Sequence, residues 1–206
     1  MKRVLLLLSL VLLVGQATFA QKKSKKDYLI TISTDKGDIR LVLFEDTPQH
    51  RENFLKLVDK KFYDGTTFHR IIDDFMIQGG DPNTKDEDPE NDGAGNPGYT
   101  IPAEILPHHK HVYGALAAAR MGDQMNPRKE SSGSQFYLVE NHDGVPFLDN
   151  QYTVYGQVID GLAVIDQIAS QPKDYRDRPR TDIKMKVTAK KMKKKKITEL
   201  YGYRYE

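Results

Sequence analysis

Short runs of strand-forming residues, separated by stretches rich in Gly, Pro, Asn and Asp, fill most of the sequence after residue 27 and constrain its fold more than any other feature. The runs with strand character cover residues 28–34, 39–44, 67–72, 76–78, 114–119, 135–139, 152–158 and 183–189. Gly37 lies in the connection between the first two runs, where a glycine favours a hairpin turn. Loop-like stretches over residues 79–98 and 121–133 separate later runs. The sequence therefore predicts many short antiparallel strands.

Only two segments have a helical pattern. The first begins at Thr47 and Pro48, which suit the N-cap and the first helical position, and it ends near residue 60. The second covers residues 161–170, where apolar residues recur at helical spacing. No internal repeat or interdomain linker interrupts the chain, so we expect one domain over residues 27–189. Many short strands with two helices predict a mainly β fold, as a closed or nearly closed antiparallel barrel.

Residues 1–20 have the three-part layout of a secretory signal peptide. The basic residues Lys2 and Arg3 precede an apolar run over residues 4–14, and small residues precede a potential cleavage site after Ala20. This run is too short to cross a bilayer as a helix, which needs about 20 apolar residues. We therefore expect cleavage and export, with an uncleaved membrane anchor as the alternative.

Export sets the expected surroundings of the mature chain: the periplasm, or else the extracellular medium. Residues 21–26 form a polar lead-in to the domain. Without the leader, acidic and basic residues are equal in number, so the chain lacks the basic excess of a nucleic-acid-binding protein. The absence of Cys excludes a disulfide framework, a thiol nucleophile and a lipid anchor on cysteine. We expect a monomer without stable membrane insertion once the leader is removed.

The segment over residues 68–81 combines charged, apolar and glycine residues in an unusual way. Strand alternation places Phe68, Arg70 and Ile72 on one face. An arginine among apolar neighbours is either a surface residue whose stem covers apolar groups or a cation that points into a cleft. The spacing alone favours the surface position, because Arg is mostly exposed in proteins. No nucleophile–base arrangement or phosphate-binding loop accompanies the segment.

This segment resembles the signature of the cyclophilin family of peptidyl-prolyl cis-trans isomerases. Three further blocks resemble that family in the same order, at residues 114–120, 132–137 and 147–149, and Tyr155-Gly156-Gln157-Val158 follows them. The resemblance covers nearly all of residues 28–189, and the loop over residues 121–132 looks like that of bacterial members, which suits an exported bacterial form. It implies a closed eight-stranded antiparallel β-barrel capped by two α-helices. It also implies rotation of X–Pro bonds in proline-containing polypeptides, with no metal or organic cofactor.

The resemblance further implies a set of site residues. Arg70 matches the catalytic arginine, and Gln78 is expected to help hold its guanidinium group as part of the catalytic pair. The positions that match the substrate-binding surface are Phe75, Met76, Ala119, Arg120, Gln135, Tyr137, Phe147, Leu148 and Tyr152.

Some of these positions depart from the family's pattern. Arg120 stands where many relatives have Asn, and Tyr137 stands where Phe is usual. Phe147 replaces the Trp of many eukaryotic members, and Tyr152 replaces a His. We expect catalysis to survive these changes. Binding of the family's inhibitor cyclosporin is expected to weaken, because the indole N–H donor of the Trp is absent.

Two functions stay open from the sequence. The first is an exported isomerase that accelerates proline-limited folding of envelope or secreted proteins, which the retained Arg70 favours. The second is a proline-peptide binding module or holdase chaperone with incidental turnover, which Tyr137, Tyr152 and the basic, Tyr-containing residues 190–206 leave open. We expect that C-terminal segment to be a solvated tail, with an anionic envelope surface or an acidic client as its alternative partner.

Two motifs are candidates for metal binding, but neither is complete. His108, His109 and His111 cluster in the sequence, yet no carboxylate partner or fourth ligand is specified. Residues 81–86 begin like a calcium-binding loop, but Lys85 stands at its fifth position and an Asp stands at the sixth, where such a loop needs Gly. The sequence therefore predicts no metal site.

Overall fold

The structure, a computed structural model, describes residues 24–205, so the predicted signal peptide and residues 21–23 of the lead-in lie outside the described residues. The strands in this part of the chain are β1 (Lys26–Thr34), β2 (Gly37–Leu43), β3 (Phe68–Ile72), β4 (Met76–Gly79), β5 (Thr100–Ile101), β6 (Ala115–Ala118), β7 (Ser131–Ser132), β8 (Phe136–Val139), β9 (Val154–Asp160) and β10 (Lys186–Lys193). The helices are α1 (Pro48–Asp59), α2 (Leu162–Ala169) and α3 (Lys194–Tyr201), and short 3-10 turns cover Pro82–Lys85 and Pro146–Leu148.

Eight strands form one antiparallel sheet in the order β10–β1–β2–β9–β6–β8–β4–β3, and β5 pairs separately with β7. The predicted mainly β, eight-stranded antiparallel architecture is confirmed. The predicted closed barrel is wrong, because the sheet curls but stays open between β10 and β3. The chain segments just before these two strands meet at a bridge between Thr67 and Lys184. A loop covers the β3 edge beyond it, where the Ile71 N–H donates to the Asp177 carbonyl at 2.8 Å.

Strands β6 and β8 are buried on both faces, and this arrangement positions the candidate site. On β6, Leu116 and Ala118 belong to the main core, which lies between the sheet and helices α1 and α2. Ala115 and Ala117 belong to a smaller cluster on the opposite, outer face. The side chains of β8 alternate in the same way, as successive residues of a strand must. The smaller cluster forms the floor of the groove described below.

The two predicted helices are present as α1 and α2. Gly161 precedes α2 with φ of 85°, and a Cβ there would lie 2.2 Å from the Asp38 carbonyl oxygen. Only glycine combines this backbone conformation with so close an approach. Within residues 24–205, none of the helices has the length and apolar character that crossing a membrane requires.

Helix α3 is an addition to the predicted pair of helices, and the segment after residue 190 is not simply a solvated tail. Strand β10 continues to Lys193, which pairs with Lys26 of β1. Helix α3 then packs the fully buried Ile197 against Leu29 and Val42, on the outer face of β1 and β2. The lysines of this segment stay largely exposed. The predicted basic surface is therefore present, but the backbone that carries it is folded.

Candidate functional site

A groove on the outer face of the sheet brings the predicted site residues together. Its cavity has a volume of about 150 Å³. The side chains that line it are Arg70, Phe75, Met76, Gln78, Ala119, Arg120, Tyr137, Leu148 and Tyr152, all of which the resemblance predicts as site residues. The two other predicted residues, Gln135 and Phe147, contact the lining residues Gln78 and Phe75.

A β-bulge in β3 turns Arg70 towards the groove. The pairing of β3 with β4 is irregular between Phe68 and Arg70, after which Arg70 lies opposite Gln78. Phe68 lies in the main core, whereas Arg70 lines the groove and Ile72 packs on the smaller outer cluster. The predicted placement of all three residues on one face is therefore wrong for Phe68. The bulge shifts the alternation of side chains by one residue and re-aims the arginine.

The guanidinium group of Arg70 makes no hydrogen bond or ion pair in the described part of the chain. Its cross-strand neighbour Gln78 donates from Nε2 to Oε1 of Gln135 at 3.0 Å. Gln135 donates in turn from Nε2 to the carbonyls of Gly93 at 2.9 Å and Gly95 at 2.8 Å. The hydrogen bond of Gln78 therefore goes to Gln135 and not to Arg70, and the donors of Arg70 stay available to a ligand.

Aromatic side chains form a wall of the groove. The rings of Phe75 and Phe147 stack with their centroids 5.9 Å apart and an interplanar angle of 23°. Phe147 stands on the turn Pro146–Leu148 and is 69% exposed. An exposed aromatic ring beside an apolar cavity is suited to cover an apolar ligand group.

The floor of the groove carries a chain of hydrogen bonds. Tyr137 is buried, and its hydroxyl lies 2.9 Å from Nε2 of His111. Nδ1 of His111 lies 3.0 Å from Oδ1 of Asp149, which also accepts the His111 backbone N–H at 2.9 Å. Burial lowers the pKa of His111, although Asp149 opposes this shift. The neutral imidazole therefore donates to Asp149 and accepts the hydroxyl proton of Tyr137, so the hydroxyl that Phe would lack is satisfied.

Sequence reasoning missed these roles of His111 and Asp149. Asp149 ends the fourth block of the resemblance, and His111 was assigned only to the histidine cluster. The signal that was present is the tyrosine at position 137, because a buried hydroxyl requires a hydrogen-bond partner.

Arg120 also lines the groove, but its guanidinium N–H groups form hydrogen bonds within the protein. Nε donates to the Gln151 carbonyl at 3.1 Å, and Nη1 donates to the Met121 carbonyl at 3.0 Å. Nη1 also pairs with Asp123 at 2.5 Å. The guanidinium carbon lies 4.3 Å from the centroid of the Tyr152 ring, at cation–π distance. Arg120 and Tyr152, both departures from the family's pattern, therefore stabilise each other.

The structure divides the predicted histidine cluster. His111 belongs to the groove floor, whereas His108 and His109 both contact Asp46, with distances of 2.8 and 2.7 Å between Nε2 and the carboxylate oxygens. Asp46 is 62 residues away from His108 in the chain. This separation explains why the sequence specified no carboxylate partner for the histidines.

The calcium-like segment is a capped turn. Asp81 precedes the turn Pro82–Lys85, and its two carboxylate oxygens accept the backbone N–H groups of Asn83 at 2.8 Å and Gly95 at 3.0 Å. A carboxylate used in this way stabilises the loop that also holds Gln135.

Comparisons with known proteins point to one family. The family model described as "Cyclophilin type peptidyl-prolyl cis-trans isomerase/CLD" matches residues 29–190. The chain is 37% identical over 163 residues to "Peptidyl-prolyl cis-trans isomerase-like 1" of Neurospora crassa, an alignment that covers 76% of this chain and 90% of that protein. It is 33% identical over 181 residues to "Putative peptidyl-prolyl cis-trans isomerase" of Staphylococcus haemolyticus, which covers 75% and 86% of the two chains. A longer relative, "Peptidyl-prolyl cis-trans isomerase-like 2" of Rhizopus delemar, is 37% identical over 181 residues, and the match spans only 31% of that protein.

A solved structure gives the same result for the fold. A cyclophilin type peptidyl-prolyl cis-trans isomerase of Cryptosporidium parvum superimposes with a TM-score of 0.70 and 29% sequence identity, over 80% of this chain and 98% of that chain. A second structure of that protein, in the presence of the dipeptide Ala-Pro, superimposes with a TM-score of 0.68 and 28% identity, over 79% of this chain and 98% of that chain.

Proposed function

Because the chain belongs to the cyclophilin-type peptidyl-prolyl cis-trans isomerase family and is an isomerase of that class, we propose that it accelerates X–Pro rotation in exported or envelope proteins as they fold, with Arg70 as its catalytic residue. The observation that carries the proposed role of Arg70 is its position: its guanidinium group, which has no hydrogen-bond or ion-pair partner within residues 24–205, lines the groove together with apolar side chains.

Rotation about an X–Pro bond needs stabilisation of a twisted amide. The planar bond has partial double-bond character, and its rotation has a barrier of about 18–20 kcal/mol. Halfway through the rotation, the proline nitrogen loses conjugation and regains a lone pair. A guanidinium N–H of Arg70 donates to that lone pair, which is a poor acceptor in the planar ground state. Arg70 therefore binds the transition state more strongly than the substrate, which is the requirement for catalysis.

The hydrogen bond from Arg70 lowers the rotation barrier by only a small part of its height. A hydrogen bond to a charged group contributes about 1.5–3 kcal/mol, which corresponds to roughly 10- to 150-fold in rate. The apolar side chains of the groove supply a further contribution by clamping the proline ring while the flanking carbonyl turns. We assign this clamp to Phe75, Met76, Tyr137, Phe147 and Leu148.

The other site residues act around that clamp in this proposal. Ala119, Arg120 and Tyr152 border the groove where the peptide backbone of the substrate lies. Gln78 and Gln135, which form a hydrogen bond with each other, are positioning residues in this proposal. They fix β4, which pairs with the strand that carries Arg70, to the loop that contains Gly93 and Gly95. The Ala-Pro dipeptide present with the Cryptosporidium parvum relative supports proline-containing polypeptides as the substrate class.

The export context rests on the amino-acid sequence. The leader over residues 1–20 and the loop over residues 121–132 support an exported bacterial protein in the periplasm, with secretion as the alternative. We propose that it acts there as a monomer, without nucleic acid, without a cofactor and without stable membrane insertion after leader removal. A fusion of residues 1–25 to a reporter that is active only outside the cytoplasm, followed by mass measurement of the full-length product, tests this. Retention of residues 1–20 in the product contradicts it.

The dose dependence of refolding separates catalysis of folding from a holdase function. We expect one molecule of the protein to accelerate proline-limited refolding of many client molecules, with the refolding yield unchanged. The measurement is the refolding rate of a protein with a slow proline phase, at molar ratios from 1:100 to 1:1. A holdase instead requires about one molecule per client and raises the yield without changing the rate of the slow phase. That second result contradicts the proposed function.

A further inference from the structure

Three potential metal ligands meet outside the groove, between the end of β8 and helix α2. Glu140 directly follows β8, His142 lies two residues later, and Asp166 belongs to α2. Each contributes a ligand atom, and these atoms all lie within 4.8 Å of one another. Two carboxylates and one imidazole are a ligand set that divalent transition metals accept.

Glu140 is the unusual member of this group. The residue is only 4% exposed, and its Oε2 atom is buried without a hydrogen-bond partner in the described part of the chain. A buried carboxylate oxygen without a partner is costly. Asp166 places a second carboxylate beside it. The site therefore needs a positive charge to balance its two acidic groups.

No basic side chain of the described residues supplies that positive charge. Asp166 has one ion-pair contact there, with Nε2 of His142 at 3.4 Å, and Glu140 has none. The distance from His142 is longer than a hydrogen bond and within the range that separates two ligands of one ion. The His142 side chain is 65% exposed, so its ring is accessible to an ion from the solvent.

A neighbouring tyrosine holds the other two ligands in place. The Tyr113 hydroxyl donates to Oδ1 of Asp166 at 2.6 Å. The Tyr113 ring also stacks on the His142 ring, with centroids 4.1 Å apart and an interplanar angle of 20°. Such outer contacts, which orient ligating carboxylates and imidazoles, are typical of metal sites in proteins.

We propose that Glu140, His142 and Asp166 bind one divalent transition-metal cation, for which Zn²⁺ is the best match. The imidazole favours Zn²⁺ over Mg²⁺ and Ca²⁺, which prefer oxygen ligands alone. Bonds of about 2.0–2.2 Å to the three side chains leave a fourth position for water. The cation gives the unpaired oxygen of Glu140 a partner and offsets the charge of the two carboxylates.

A second cluster of possible ligands provides an internal control. Asp46, His108 and His109 also gather their ligand atoms within 4.8 Å. The Asp46 carboxylate is already bonded to both imidazoles and the cluster is more exposed. It has no buried atom without a partner, in contrast to Glu140.

Calorimetric titration of the metal-stripped protein with ZnCl₂ at pH 7.5 tests the proposal. We expect saturable binding at one site, and a rise in melting temperature with Zn²⁺ that Ca²⁺ and Mg²⁺ do not reproduce at the same concentration. His142→Ala and Asp166→Asn are each expected to weaken the affinity by at least 10-fold. Tyr113→Phe keeps the ring and loses the hydroxyl, so it is expected to weaken binding by roughly 10-fold.

The double variant His108→Ala/His109→Ala is the matched control. It removes two imidazoles from the other cluster, and we expect its affinity for Zn²⁺ at the tight site to stay within about 2-fold of the original protein. Circular dichroism shows whether each variant is folded before titration. Absence of saturable Zn²⁺ binding to the original protein overturns the proposal. Loss of binding in the control variant together with retention in folded His142→Ala also overturns it.

Discussion

Two arginines line the same groove, and they differ in what the protein does with them. Arg70 stands in β3 without a hydrogen bond or ion pair in the described part of the chain. Arg120 donates to two backbone carbonyls, pairs with Asp123 and stacks on Tyr152. A guanidinium has five N–H donors in a fixed plane. Arg70 keeps all of its donors for a ligand, whereas Arg120 has used several of them to fix the structure.

This difference teaches that position in a groove does not define a catalytic role. Both side chains are charged and both face the cavity. Only a donor that is free in the resting protein gains a new hydrogen bond when the substrate reaches its twisted state. The contrast therefore predicts a large kinetic effect of substitution at position 70 and a small one at position 120.

The largest expected effect comes from Arg70→Ala. Loss of the charged donor is expected to lower kcat/KM by roughly 10- to 150-fold, which is the equivalent of about 1.5–3 kcal/mol. The binding of an X–Pro peptide is expected to change much less, because the apolar clamp remains. The measurement is isomerisation of a short X–Pro peptide by NMR exchange, with peptide affinity measured separately. Equal turnover in the variant and the original protein contradicts the role of Arg70.

Arg70→Lys is the matched variant for charge. It keeps the positive charge and loses the planar arrangement of N–H donors, so we expect the variant to lose most of the isomerase activity. Full activity in the lysine variant indicates that a positive charge alone is sufficient. It contradicts the claim that catalysis needs the fixed direction of the guanidinium N–H donors.

Phe147→Ala tests the aromatic wall of the groove. In the proposed complex the Phe147 ring covers the proline ring of the substrate. Loss of about 0.5–1.5 kcal/mol of this apolar contact is expected to raise KM for an X–Pro peptide by roughly 2- to 12-fold, with kcat nearly unchanged. Phe147 is mostly exposed, so folding is not expected to suffer. A loss of kcat equal to that of Arg70→Ala contradicts the division between a free donor and an apolar clamp.

Three buried histidines, of which His111 belongs to the groove floor, predict how the free energy of unfolding depends on pH. Burial lowers the pKa values of His111, His50 and His69 in the folded state. Above the unfolded value of about 6.5, these imidazoles are neutral in both states and their full contribution to stability is present. As the pH falls below 6.5, the unfolded chain takes up protons first, so stability decreases through the lowered folded values. The expected loss is at most about 1.4 kcal/mol per pH unit for each histidine.

Urea unfolding at pH 7.5, 6.5 and 5.5 measures this dependence. His111→Gln is expected to reduce this dependence, and His108→Ala, which removes an exposed imidazole outside the groove, is the control variant. A free energy of unfolding that is constant from pH 7.5 to 5.5 contradicts the prediction that buried neutral histidines stabilise the protein.

Much of this groove can be predicted from the sequence, because most of its residues lie in the four short segments that resemble the family. The resemblance gave all the residues that line the cavity, including Arg70 and Tyr137. It did not give the bulge between Phe68 and Arg70, since a bulge depends on how β3 meets β4 and not on the alternation within one strand. The hydrogen-bond partner of the Tyr137 hydroxyl, His111, lies 26 residues away in the chain, so the pairing appears only after folding.

The errors in the fold have a similar origin. The predicted closed barrel requires the two edge strands of the sheet, β10 and β3, to pair with each other. The number of strands in a sequence does not show whether they do. Here a loop that includes Asp177 covers part of the β3 edge. Helix α3 was missed because lysines dominate its first turn, while Ile197 alone is fully buried. Charge in the sequence indicated exposure, but one apolar residue was enough to anchor the segment on β1 and β2.

The smallest expected effect comes from Arg120→Asn, which introduces the residue that many relatives have at this position. Because the donors of Arg120 serve the protein, we expect kcat/KM to change by less than about 2-fold, within the range of a substitution that does not touch the reacting atoms. The free energy of unfolding is expected to fall by about 0.5–1 kcal/mol with loss of the contact to Tyr152. Peptide isomerisation and urea unfolding of the same preparation measure both quantities. A loss of turnover as large as that of Arg70→Ala, with stability unchanged, reverses the roles assigned to the two arginines.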